Sequence, residues 1–277
     1  MVLARISAVV LLSALVVAWT NAAHAAASDW IGDRHVAVRL ITAADSVGAN
    51  STLEAGLEFR FAKGWHGYWR TPGDAGVGPV IDWSGSENIS RHDVAWPAPS
   101  RLVAEDLQTL VYDNDVVLPV KLSVKQTGAA ARIHVSVVHG GCSEVCVPYQ
   151  ADITLALPAG AGAPSAEAGL IDAARKAVPG TPDAAGIDVI GARVAVTSCG
   201  PTLMVDLRSK DKPFLRPDLF VEGTGDGVPA APEVALGEGG KSAHLTVQLP
   251  AASPTDQPLI LTLKDGDRAA EFAVNAR

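Results

Sequence analysis

The sequence predicts an all-β protein, an antiparallel β-sandwich followed by a second, smaller β-sandwich domain. Three observations carry this reading. Apolar residues recur with period two from Arg34 onward, the runs are short and bounded by Gly, Pro, Asn and Asp, and no strand–helix–strand repeat appears. The last point argues against a Rossmann or thioredoxin-type layer. An apolar content of 48% with 19% charged residues is enough to build a core and excludes a disordered chain.

Residues 1–27 read as an export signal. Arg5 supplies the positive n-region, Ile6 to Trp19 the apolar h-region, and Ala23-His24-Ala25 or Ala25-Ala26-Ala27 a small-residue cleavage site. The apolar run is short for a bilayer span, no twin-arginine pair precedes it and no Cys follows it, so a cleaved Sec-type signal is expected. The destination is an oxidising space such as a bacterial periplasm, where cysteine pairs form disulfides. After residue 27 no apolar run approaches the roughly 20 residues of a spanning helix, and the mature chain is expected not to span a membrane. With a formal charge of −8 and no run of Lys or Arg, an electrostatic footprint for nucleic acid is missing.

Residues 28–158 form the first expected domain. Its strands are marked by Val36, Val38 and Leu40, by Leu57, Phe59 and Phe61 around Glu58 and Arg60, and by Leu118, Val120, Leu122 and Val124. Ile133, Val135 and Val137, then Ile153, Leu155 and Leu157, repeat the pattern. Residues 159–186 are rich in Ala, Gly and Pro and read as a linker. Within it Ser165 is placed to cap a helix of about three turns, with Leu170, Ile171 and Ala174 as its apolar face and Pro179 beyond its end. Residues 187–277 form the second domain, with strands around 194–196, 203–207, 245–249, 259–263 and 271–274. Lys264-Asp265-Gly266-Asp267 predicts a hairpin turn joining the last two.

Two of the three cysteines lie four apart, in Gly140-Gly141-Cys142-Ser143-Glu144-Val145-Cys146-Val147-Pro148. Residues four apart in a straight strand are about 13 Å from each other, and a disulfide needs Cα atoms within about 7 Å, so the chain must turn between them. Gly140 and Gly141 are expected to end the preceding strand at Val138, and Pro148 to restrict the exit before the next strand begins near Ala151. Three readings stand at this point. A structural staple closing so short a loop restricts few unfolded conformations. A thiol–disulfide exchange site fits a reachable loop at a domain edge. A metal site would add His139 as a third ligand, without an obvious fourth. Cys199 is the odd thiol and receives no role.

The run Gly64-Trp65-His66-Gly67-Tyr68-Trp69-Arg70-Thr71-Pro72-Gly73-Asp74-Ala75-Gly76 is followed by Trp96-Pro97-Ala98-Pro99, Val116-Val117-Leu118-Pro119-Val120 and the Cys142–Pro148 stretch. In order and spacing these resemble the amino-terminal periplasmic domain of the DsbD family, in the variety found in ScsB proteins, over about residues 30–158. The resemblance implies an immunoglobulin-like sandwich. It also implies that Cys142 and Cys146 are the catalytic pair, receiving electrons from a membrane-embedded transporter and passing them to thioredoxin-like periplasmic proteins. No cofactor is required for such exchange. Members of the family usually continue into transmembrane and thioredoxin-like domains, and the sequence ends at Arg277 with neither, so a relay served by a separate transporter is expected. The family's aromatic-Gly-aromatic cap is replaced by Leu110-Val111-Tyr112-Asp113-Asn114, which leaves Tyr112 as a candidate cover.

Tyr68 is the aromatic expected nearest the cysteines, while Trp65 and Trp69 are expected to fill core or brace a loop. Asp74 reads first as a turn residue bonding backbone amides and second as a polar group near the sulfurs. Glu144 between the cysteines would raise a thiol pKa, and a protonated His139 would lower it. The rival to the relay is a non-catalytic envelope binding module, for copper or for an envelope protein, in which the pair is a staple or metal ligand.

Overall fold

The computed structural model describes residues 26–104, 107–198, 200–225, 228–251, 253 and 257–275. The n- and h-regions of the expected signal, and Cys199, lie outside the described residues.

The first eleven strands are β1 (Ile31–Gly32), β2 (Val36–Thr42), β3 (Thr52–Phe61), β4 (His66–Gly73), β5 (Val80–Asp82), β6 (Ile89–Val94), β7 (Ser100–Ala104), β8 (Leu107–Tyr112), β9 (Val116–Val124), β10 (Ala131–Cys142) and β11 (Cys146–Leu157). They form two antiparallel sheets, ordered β1-β2-β3-β9-β6 and β11-β10-β4-β8-β7, with β5 pairing β10. The period-two residues face each other across the sandwich. Leu40, Leu57, Leu118, Val120 and Leu122 from one sheet meet Ile133, Val135, Ile153, Leu157 and Trp69 from the other, all almost completely buried.

Two glycines and a proline behave differently from the sequence expectation. β10 does not stop at Val138 but runs through Gly140 and Gly141 to Cys142, and β11 begins at Cys146 rather than near Ala151. Pro148 sits inside β11, opposite Gly140. A missing N–H is tolerated there because β11 is the edge strand of its sheet.

Helix α1 (Ala168–Lys176) follows. Ser165 does not cap it. The residue at its start is Glu167, with no side-chain cap, and the Ser165 hydroxyl donates to Thr42 O while accepting from Glu167 N. Only Ile171 is buried; it packs on Ile41 and Val117 with Ala174 beside it, whereas Leu170 is exposed. Bridges Ala44↔Pro164 and Val47↔Ala159 tie the preceding segment to the first sandwich, and Gly180↔Ala270 ties the following one to the second. Among the described residues no helix is long and apolar enough to cross a membrane.

The last strands are β12 (Ile187–Thr197), β13 (Gly200–Ser209), β14 (Asp218–Glu222), β15 (Glu233–Leu236), β16 (Ser242–Gln248), β17 (Pro258–Asp265) and β18 (Arg268–Asn275). They form a four-stranded sheet, β12-β13-β16-β15, and a three-stranded one, β14-β17-β18. Between them lies a core of Leu203, Val205, Leu207, Leu245, Val247, Leu259, Leu261 and Leu263. The β17–β18 turn is as the sequence predicts, with Asp265 paired to Arg268 and Gly266 at φ 67°.

β14 serves both sandwiches. Leu219 and Val221 point into the second core, while Phe220 belongs to the first core, its ring centroid 6.1 Å from that of Trp69. Polar contacts surround this insertion. The Arg70 guanidinium donates to both carboxylate oxygens of Glu222 and to Glu271, and Arg101, its side chain 6% exposed, forks onto Asp218 at 3.0 and 3.1 Å and donates to Leu219 O and Pro229 O.

Candidate functional site

β10 and β11 pair along their full length, from Ala131↔Leu157 to Cys142↔Cys146, and the three residues Ser143, Glu144 and Val145 close the hairpin. Directly opposed residues of an antiparallel pair project to the same face, so the last rung puts both sulfurs side by side. They form a disulfide with Cα atoms 4.1 Å apart. The two cysteines differ sharply in access: Cys142 is 2% exposed, whereas Cys146 lies open to solvent at the hairpin tip.

Tyr68 closes the site over Cys142. Its hydroxyl lies 2.6 Å from Cys142 Sγ and 3.3 Å from Cys146 Sγ, and because a disulfide sulfur carries no hydrogen the phenol is the donor to both. Two glycines make room for the ring. A Cβ on Gly140 would stand 2.8 Å from Tyr68 Cε2, and one on Gly76, at φ 96°, only 2.1 Å from Cε1. The ring is thus held between β10 and the loop after β4. Burial raises the Tyr68 pKa, which keeps the hydroxyl protonated and donating.

The other sequence candidates are distributed around this pair. The Asp74 carboxylate accepts Gln108 N at 2.8 Å and the Asp74 N–H returns a bond to Gln108 O, fastening that loop to β8. Glu144 is exposed in the hairpin loop. Tyr112 does not cover the sulfurs: Gly141, Gly67 and Tyr112 form one row across β10, β4 and β8, on the face opposite Cys142, and the Tyr112 hydroxyl donates to Pro97 O at 2.8 Å in the core. Burial holds that phenol well above its ordinary pKa.

His139 is likewise on the core face. Its ring stacks on Tyr149 at 5.4 Å and meets the edge of Phe59 at 5.2 Å. Burial lowers its pKa to about 4, so at neutral pH it is uncharged and cannot act as the thiol-activating cation that its sequence position allowed. A strand places residues three apart on opposite faces, so His139 and Cys142 do not converge as ligands. Among the described residues no group of three or more His, Cys, Asp or Glu is placed to hold a metal ion.

One neighbour was not singled out in the sequence. His66, the first residue of β4, is the register partner of Cys142. Alternation puts it on the same face as Tyr68, whose ring it meets edge-on with centroids 5.7 Å apart. The signal was available in the spacing His66-x-Tyr68. Val145, in the hairpin loop next to Cys146, is exposed.

Residues 37–158 match the family model of the thiol:disulfide interchange protein DsbD, N-terminal. The matched segment holds the first sandwich and the cysteine pair. The DsbD-type domain is followed by a match to a domain of unknown function, DUF8393, over residues 177–277. Among solved structures, the N-terminal periplasmic domain of ScsB from Proteus mirabilis is similar with a TM-score of 0.73 and 21% identity, covering 91% of this chain and 100% of that one. Its likeness extends over both sandwiches and shows a common fold. The reduced DsbD N-terminal domain of Neisseria meningitidis is 15% identical over 44% of this chain and 83% of that one, with a TM-score of 0.27. No curated protein matches the chain.

Proposed function

We propose that the protein is a periplasmic thiol–disulfide exchange relay working through Cys142 and Cys146. The observation that carries this reading is the unequal exposure of the two sulfurs beneath Tyr68. A partner thiolate attacks the open Cys146 Sγ, the Cys142–Cys146 bond breaks, and Cys142 leaves with the electron pair as a thiolate bonded by the Tyr68 hydroxyl. In the reducing direction Cys146 thiolate attacks a partner disulfide and expels one of its sulfurs. Cys142 then displaces the remaining partner sulfur and re-forms the pair. The DsbD-type domain supports thioredoxin-like proteins as acceptors and a membrane-embedded transporter as electron donor.

A staple is disfavoured by position. The bridge spans the last rung of a ladder already paired along its length and closes only three residues, so it restricts the unfolded chain little. Export fits the periplasmic setting, and cleavage after Ala25 is the better of the two sites because Ala26 O accepts Thr42 N at 2.7 Å.

The test is trapping. Cys142→Ser leaves Cys146 without its resolving thiol and should accumulate a mixed disulfide with a thioredoxin-like protein, seen on non-reducing gels of periplasmic extract and identified by mass spectrometry. Cys146→Ser should trap far less. Equal absence of adducts, with a wild-type reduction potential below about −300 mV, would return the pair to a structural role.

A further inference from the structure

Cys142 presents a problem in the reducing direction. After Cys146 has formed a mixed disulfide, Cys142 must attack as a thiolate, yet it is 2% exposed and covered by the Tyr68 hydroxyl. Tyr68 does not remove that proton, because burial keeps its phenol protonated. The group that remains on this face is His66. It stands opposite Cys142 on the adjacent strand, where cross-strand Cβ atoms are about 4.5–5.5 Å apart, and it contacts the Tyr68 ring.

We propose that His66 is the general base for the resolving step, taking the proton of Cys142 as its sulfur displaces the partner. This rests on the exchange reading above. The Cys142 S–H proton passes to a ring nitrogen of His66, the Cys142–Cys146 bond forms, the Cys146–partner bond breaks, and the partner sulfur departs with the electron pair. The Cys146 pair is thereby oxidised and the partner disulfide, the oxidant, is fully reduced. His66 then loses its proton to solvent, to which it is partly open.

The charged and titratable groups at this end are Tyr68 on the same strand, Cys142 and Cys146 across from it, Glu144 in the hairpin loop, and Asp113 after β8. Asp113 favours the imidazolium, but burial outweighs it and lowers the His66 pKa, which leaves the ring unprotonated at neutral pH as a base must be.

The experiment uses the reduced full-length mature protein and an aromatic disulfide, 5,5′-dithiobis(2-nitrobenzoate), which releases one coloured thiolate when Cys146 attacks and a second when Cys142 resolves. His66→Gln should slow the second release about 10-fold or more and leave the first within a factor of two. The wild-type second phase should fall as His66 becomes protonated in acid, and the variant should lose that inflection. The reduction potential of the pair should be the same in both proteins, because a base changes rate and not equilibrium. Equal slowing of both phases, a shifted potential, or an unchanged second phase overturns the role of His66. If wild-type protein fails to release the second thiolate, the exchange reading falls together with it.

Discussion

At the scale of single residues, burial decides what each polar group can do. His139 is the clearest case, since its folded pKa of about 4 lies below the 6.5 of an exposed imidazole. Between those values the unfolded chain binds a proton that the folded chain refuses, so stability falls as pH drops from 6.5 toward 4 and this contribution then levels off. The shift corresponds to roughly 3 kcal/mol at its limit. Urea unfolding at pH 7.5 and 4.5 should show wild type losing about 2–3 kcal/mol more than His139→Phe, which keeps an aromatic ring against Phe59 and Tyr149 but cannot titrate. Equal losses would mean that His139 is protonated in the native state. The cysteine motif singled out Cys142 and Cys146, but the burial of His139 depends on Tyr149 and Phe59, one beside it on β11 and the other from the opposite sheet. No spacing within a motif reports that.

At the scale of elements, period-two alternation made the long strands legible, because one face of each is buried and the other is not. It failed where the chain departs from that arrangement. Gly140, Gly141 and Pro148 read as punctuation, yet β10 and β11 continue through them, and Gly140 is small because Tyr68 occupies the space where a side chain would go. Gly140→Ala should therefore cost about 1–3 kcal/mol through overpacking, since Gly76 blocks the ring's retreat on the other side. Displacing the ring uncovers Cys142, so dithiothreitol should reduce the disulfide faster in this variant than in wild type. A stable variant with unchanged reduction kinetics would show that the ring does not shield the sulfur. β14 carries no such signal for the opposite reason. Leu219-Phe220-Val221 is apolar without alternation because both faces of this strand are buried, each in a different core.

At the scale of the whole molecule, Phe220, Arg70 and Arg101 join the two domains that the Ala/Gly/Pro-rich segment 159–186 predicts to be separable. The wild-type protein should unfold in a single calorimetric transition. Phe220→Ala removes a fully buried ring worth about 3–5 kcal/mol and should split that transition in two, with the first sandwich melting earlier. Two well-separated transitions in wild type would show that the contact between the sandwiches contributes little. The shared strand also constrains how such proteins can be assembled from parts. A recombination breakpoint anywhere in 159–186 would leave Trp69 without the ring it packs on and Arg70 without either carboxylate, while handing the second half an apolar Phe220 with nothing to enter. Moving one half between genes without the other would therefore break the Trp69–Phe220 and Arg70–Glu222 contacts.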